Sequence, residues 1–231
     1  MRRRLRAQGG FTLPELLVAM TIGLMTVLAV YAVLDTTMKQ SSRIAGRVNA
    51  TQRGRIAMDT ITRQLRSQVC YSATVPALVS GTDDVVKFHA DLSDGSTAIM
   101  QREIAYDNTA RTITERVWPG QGSPLSFPTR TVNRLLVDQV ARRVPSDPTP
   151  IFRYYAYSTA DPPRPDVLLT TPLSTTDLAR VAKIEVGFVA LPPGERMPAN
   201  GTLPPGASAL QNEVYVRVAD PNDPAPTPTC A

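Results

Sequence analysis

The chain begins with a long apolar run and ends in short alternating ones. From Leu16 to Leu34 the sequence LLVAMTIGLMTVLAVYAVL carries no charge over 19 residues. That length spans a bilayer core of about 30 Å. It exceeds the roughly 7–15 apolar residues of an ordinary signal peptide. Between Ile44 and Val69 the pattern changes. Apolar or small residues recur at Ile44, Val48, Thr51, Met58, Ile61, Leu65 and Val69. Steps of three and four dominate, which predicts an amphipathic helix. Residues 11–69 as one continuous helix would measure about 88 Å at 1.5 Å per residue. Gly23, Gly46 and Gly54 are expected soft points in it.

Beyond Cys70 the period shortens. DDVVKFHA, STAIMQREIAY and RTITERVW are rich in Val, Ile and Thr and predict strands. DLSDG (Asp91 to Gly95) is expected to turn between the first two, and Asp107-Asn108 between the second and third, giving a meander. RLLVDQVARRV, PIFRYYAYS, LARVAKIEVGFVAL and NEVYVRVAD supply further candidate strands. In PIFRYYAYS, Tyr154, Tyr155 and Tyr157 are expected to line core and face by alternation. The Pro-rich stretch from Leu191 to Gly206 and the tail DPNDPAPTPTCA are expected to be exposed. The fold class this predicts is α+β, with a long N-terminal helix packed on an antiparallel sheet. Its divisions are a leader over 1–10, a membrane-spanning half-helix over 11–37, an amphipathic half-helix over 38–70 and a β-rich head over 71–231.

Composition refines the picture. The 231 residues are 42% hydrophobic but only 6% aromatic, so the core rests on Val, Ile, Leu and Ala. The 21 prolines fall mostly after Pro119 and argue for a loop-rich C-terminal half. The formal net charge of +5 would suggest a nucleic-acid partner if it were spread over the chain. It is not. Arg2, Arg3, Arg4 and Arg6 contribute +4, and everything from Phe11 onward sums to +1. Residues 35–66 carry +5, while the chain from Ser67 onward holds 14 basic and 17 acidic residues. The arginines between Arg43 and Arg66 are expected to form a solvated helix face, and no nucleic-acid partner is expected.

Candidate chemistry is sparse. There is no Walker loop, no HExxH and no GxSxG, so no enzymatic activity is expected. His89 is the only histidine, and the two cysteines, Cys70 and Cys230, form no CxxC pair. A zinc site wants four such ligands, so no metal or other cofactor is expected. Asp91 and Asp94 lack the full ligand pattern of a calcium loop, which leaves a plain turn. In an exported protein Cys70 and Cys230 become a disulfide candidate tying the tail to the end of the first helix. Closing so long a loop would stabilise by about 5 kcal/mol in the chain-entropy model.

Two details resist a simple membrane anchor. Gly9 and Gly10 stand before the apolar run, where ordinary signal peptidase has no use for them. Glu15 puts a carboxylate at the head of that run, at a cost of about 2.5–3.5 kcal/mol even on lenient insertion scales. The ordered stretch Gly10-Phe11-Thr12-Leu13-Pro14-Glu15-Leu16-Leu17-Val18-Ala19-Met20 resembles the signal of type IV prepilins and type II secretion pseudopilins. The family pattern is a basic leader, a glycine, a methylatable residue, a glutamate at the fifth mature position and an apolar helix. The resemblance implies cutting between Gly10 and Phe11 by a membrane prepilin peptidase, with N-methylation of Phe11 by the same enzyme. It implies that Glu15 pairs with the N-terminal amine of a neighbouring subunit, which gives a buried carboxylate its partner and sets register. Pro14 then falls in the first turn, where its missing N–H is no loss.

The order of FTLPELLVAM, QRGRIAMDTITRQLRSQVC and a long β-rich region ending NEVYVRVADPN is similar to PilW-type minor pilins and J-type minor pseudopilins. The function this implies is a minor subunit that enters, or primes, a type IV pilus or type II secretion-like filament. Its expected partners are other pilin or pseudopilin subunits, met through the N-terminal helix. The arginines ahead of the apolar run place the N-terminus in the cytoplasm, the helix in a bacterial inner membrane and the head outside it. The alternative is an adhesin or DNA-uptake pilin whose head binds an external ligand.

Overall fold

The computed structural model describes residues 11–70, 75–91, 99–122, 125–143 and 149–216. The chain divides into two compact units, Met1–Ala45 and Gly46–Ala231. Helix α1, Leu13–Arg66, contributes to both. No proline interrupts it after Pro14, and its threonines bond within it. The hydroxyls of Thr21, Thr26, Thr36 and Thr37 each donate to a carbonyl one turn back, at 2.7–2.9 Å. Such bonding satisfies hydroxyl donors that an apolar helix surface would otherwise leave unpaired.

From Leu13 onward the first unit is helix, with its apolar side chains outward. Leu17, Leu24, Met25 and Tyr31 are all more than half exposed. In the second unit the helix acquires a buried face made of Ala50, Gly54, Ala57, Met58, Ile61 and Leu65. This differs from the expected face at its start. Ile44 and Val48 are exposed, and small residues take over the contact from Ala50 onward. Gly54 is a point of close approach rather than a soft point. A Cβ placed there would stand 2.4 Å from Leu210 Cδ1 and 2.9 Å from Ala190 Cβ.

α1 stops at Arg66, three residues before the expected end. Ser67 Oγ donates to Gln64 O at 2.7 Å and closes the last turn. The chain then runs beside residues 89–91 of the head. Val69 N donates to His89 O at 3.1 Å, and Asp91 N to Ser67 O at 3.2 Å.

The head holds two antiparallel sheets where the sequence suggested one. The first is a meander of β1 (Leu78–Gly81), β2 (Val85–Ala90), β3 (Met100–Asp107), β4 (Thr112–Pro119) and β5 (Val132–Val137). The second joins β10 (Ser208–Tyr215), β9 (Val181–Ala190), β7 (Phe152–Ala156) and β8 (Val167–Leu168) in that order, with β6 (Val140–Ala141) also paired to β9. RLLVDQVARRV is therefore not one strand. Gln139 adopts a left-handed φ of 53° between β5 and β6, and such a residue breaks an extended run. The chain leaves one sheet there and joins the other.

Three further differences are local. Leu178, Ala179 and Arg180 belong to a short helix α2 (Thr175–Arg180), because the Ser174 side chain caps it by accepting from Asp177 N. The stretch from Leu191 to Gly206 is not wholly exposed, since Leu191, Pro192 and Pro204 are buried. β10 starts at Ser208, earlier than NEVYVRVAD suggested. The expected turn at Asp107-Asn108 is present, and Asp107 Oδ1 accepts from Thr109 N at 2.8 Å and Ala110 N at 2.9 Å. DLSDG lies outside the described residues from its second position onward, as does the tail.

The main core joins the helix to both sheets, and a smaller cluster gathers Ala141, Val189 and Leu191. Met58, Ile61 and Leu65 of α1 pack with Phe88, Ile104 and Ile113 of the first sheet and with Phe152, Tyr154, Ile184 and Phe188 of the second. Burying each such side chain contributes roughly 1.5–3 kcal/mol. The long helix with an antiparallel β head makes the architecture α+β and pilin-like.

Candidate functional site

The start of α1 carries the candidate chemistry. Thr12 stands immediately before the helix, and Glu15 is in its first turn. Thr12 N donates to Glu15 Oε2 at 3.3 Å, and Thr12 Oγ1 donates to the same oxygen at 3.1 Å. This is the reciprocal half of a capping box, in which an acid three residues into the helix reaches back to the cap N–H. It supplies an acceptor for an amide that the helix leaves unpaired. A negative group in the first turn also lies favourably in the field of the helix amides.

The carboxylate is therefore held locally rather than left adrift. Thr12 is the residue that sequence reasoning missed. Its signal is present, since Thr-x-x-Glu ahead of an apolar run is the capping-box pattern. Phe11 is 85% exposed and precedes the helix. Its α-amine would be four residues from Glu15 after removal of residues 1–10. Gly10 lies outside the described residues.

Beyond the cap, α1 presents a membrane-type surface. The helix is long and apolar enough to cross a membrane, and none of that apolar stretch is buried within the protein. Among the described residues it is the only such helix. A water-soluble globular helix would bury one apolar face. Here Leu16, Leu17, Val18, Ile22 and Val30 are all exposed, and at 3.6 residues per turn they fall on every side of the helix.

The remaining predicted positions are scattered. Cys70 lies just beyond α1, and among the described residues there is no free cysteine. Cys230 lies outside the described residues. His89 is a buried strand residue in β2, with Nδ1 3.3 Å from Pro76 O and Nε2 3.2 Å from the Gln101 carboxamide nitrogen. Burial pushes its pKa down from the ordinary histidine value. Asp91 is next to the strand, and Asp94 lies outside the described residues. Among the described residues no group of three or more His, Cys, Asp or Glu is placed to hold a metal. Tyr154 is buried, while Tyr155 and Tyr157 are half-buried on the other face, as alternation requires.

No curated relative and no solved structure matches the chain. Its N-terminal region does match a known family description, the prokaryotic N-terminal methylation motif, over residues 5–31. That span contains Phe11, Thr12, Glu15 and most of the exposed apolar helix. With this motif heading a long apolar helix and an antiparallel β head, the chain is similar in its N-terminal region to proteins that carry the prokaryotic N-terminal methylation motif.

Proposed function

We propose that this protein is a minor pilin or pseudopilin, processed between Gly10 and Phe11, that enters or primes a type IV pilus or type II secretion-like filament. The observation that carries the reading is the join of the 5–31 motif to an apolar helical surface, exposed all round, with Glu15 as the one acid at its head. Such a surface needs either lipid or other helices. A subunit that moves from membrane to filament would meet both. Prepilin peptidase cuts after Gly10 and methylates Phe11. The N-terminus starts in the cytoplasm, the helix spans the inner membrane, and the head is exported. The role is structural rather than enzymatic.

Glu15 has a specific task in this scheme. In the isolated chain its carboxylate accepts from Thr12. In a filament it takes the Phe11 amine of the next subunit, which is a cation where Thr12 supplies neutral donors. Two opposite charges attract by a Coulomb energy that neutral donors do not supply, and it grows away from water, so the exchange favours docking. Cys70 and Cys230 form the disulfide that anchors the tail after export.

In cells that make the filament, Glu15→Val is expected to leave processed protein in the membrane and to reduce surface filaments strongly. Normal filament numbers would overturn the assembly role. Mass spectrometry of the mature protein under non-reducing conditions checks the covalent steps. It is expected to show N-methylated Phe11 as the first residue and a peptide linking Cys70 to Cys230. An intact Met1 terminus in a peptidase-positive cell, or two free thiols, would remove the corresponding step.

A further inference from the structure

The head carries a cavity of about 530 Å³, remote in sequence from the methylation motif. That volume lies in the range of small-molecule sites, about 300–1,000 Å³. Its wall brings together the β3–β4 turn, the residue after β6 and the loop following β9. Among the described residues, three of those lining it are arginines, Arg111, Arg142 and Arg196, and none is an acid. Tyr106, Asn108 and Met197 complete most of the rest.

The charges are only partly answered by the protein. Arg142 pairs with Asp84 through Nη2, which leaves the other donors of its guanidinium. Arg111 gives Nη1 to a neutral carbonyl, Glu195 O, at 2.7 Å. Arg196 is exposed. Two acids adjoin lining residues in sequence: Asp107 turns its carboxylate onto the amides of its own turn, and Glu195 is exposed beside Arg196. The described lining itself carries three guanidinium groups, with Asp84, Asp107 and Glu195 outside it, so the wall presents cationic donors in a concave shape.

Two details suit a ligand. Tyr106 Oη lies 3.1 Å from Asn108 Oδ1. A phenol donating there fixes the carboxamide and leaves its amide hydrogens to donate elsewhere. Arg111 itself adopts a left-handed φ of 55°. Glycine takes that conformation in a hairpin turn without penalty, and arginine does not. The turn thus accepts strain to place a guanidinium at the cavity.

We propose that this cavity binds a small oxyanion-bearing compound, a phosphate or carboxylate. Arg111, Arg142 and Arg196 are its cationic contacts, and Asn108 is a neutral donor. Guanidinium groups suit both anions because their paired N–H groups match two oxygens at once. The proposal does not depend on the filament reading, since ligand binding is read directly.

The test is titration calorimetry on the full chain in detergent micelles, with inorganic phosphate and with glucuronate as separate probes. Arg196→Glu reverses the charge of an exposed residue, and Arg130→Glu does the same at an exposed residue outside the cavity. The expected result is saturable binding of at least one probe by the wild type and by Arg130→Glu. Arg196→Glu should weaken it about tenfold or more, as expected when a charged contact becomes a repulsive one. Phosphate alone, glucuronate alone or both binding in this pattern supports the proposal and identifies the anion. No saturable binding up to about 10 mM of either probe, weaker than any useful affinity, would overturn it. So would unchanged affinity in Arg196→Glu, or equal weakening in Arg130→Glu.

Discussion

Glu115 is the most heavily engaged charge in the head. It is 1% exposed. It accepts from Gln64 Nε2 at 2.7 Å, from Arg134 Nη2 at 2.6 Å and from Arg102 Nη1. Strand register produces the arrangement. Glu115 faces Arg134 across β4 and β5, and it faces Ile104 across β4 and β3, two residues from Arg102. Gln64 comes from α1, so the same carboxylate also ties the helix to the sheet. Glu115→Ala would strand the Arg102 guanidinium, whose side chain is only 14% exposed. Breaking a buried pair of this kind costs about 3–5 kcal/mol. The expected outcome is a marked fall in thermal unfolding temperature, followed by the circular dichroism of the sheet. A fall no larger than that of an exposed substitution such as Glu195→Ala would contradict it. His89 supplies a second prediction at this scale. Its pKa is held below the unfolded value of 6.5, first by burial. The unfolded chain then binds the extra proton, so stability is full above that value and is lost as pH falls below it. Between pH 7 and pH 5 the wild type should lose more stability than His89→Gln. Taking the difference cancels Asp84, whose carboxyl is pushed the opposite way by burial. Equal slopes would exclude His89 as the cause.

Among the elements, α1 shows where pattern is informative and where it is not. Its existence, its unbroken course and its two-part character were all legible, because 3.6-residue periodicity and a run of uncharged residues are strong signals. The residues that dock it were less legible. Ala50, Gly54 and Ala57 do not look like a hydrophobic face, yet Gly54 permits the closest approach to β9 and β10. The test is Gly54→Leu. A side chain there meets Ala190 Cβ, which cannot move aside as the Leu210 side chain can. Overpacking costs about 1–3 kcal/mol, and it outweighs the gain in helix propensity of roughly 1 kcal/mol on losing a glycine. Gly46→Ala is the comparison, since its Cβ would lie at an ordinary 3.7 Å from Pro192. Unfolding measurements should show Gly54→Leu destabilised and Gly46→Ala neutral or better. The reverse order would mean that Gly54 is not a packing point. Most strands were legible by alternation. The division into two sheets was not, because it hinges on the backbone of one residue, Gln139. The anion cavity was invisible for a related reason, since Arg111, Arg142 and Arg196 meet only once the turn and loops are in place.

At the scale of the whole molecule, one helix serves two solvents. Its first part offers apolar side chains to lipid or neighbouring helices, and its second part is a structural member of the head. The charge distribution follows the same division. Most of the net positive charge belongs to residues 1–10 and to the helix, and the chain beyond Ser67 is mildly acidic. Cleavage after Gly10 would leave a nearly neutral protein of +1. Burial that begins at Ala50 and not before also gives the helix two different rates of opening. Between Met38 and Ala45 the backbone can open locally without disturbing a core. From Ala50 to Leu65 an amide can open only when both sheets release the helix, at a free energy near that of global unfolding. Hydrogen–deuterium exchange on the full chain should therefore divide this single uninterrupted helix into a fast-labelling stretch and a slow one.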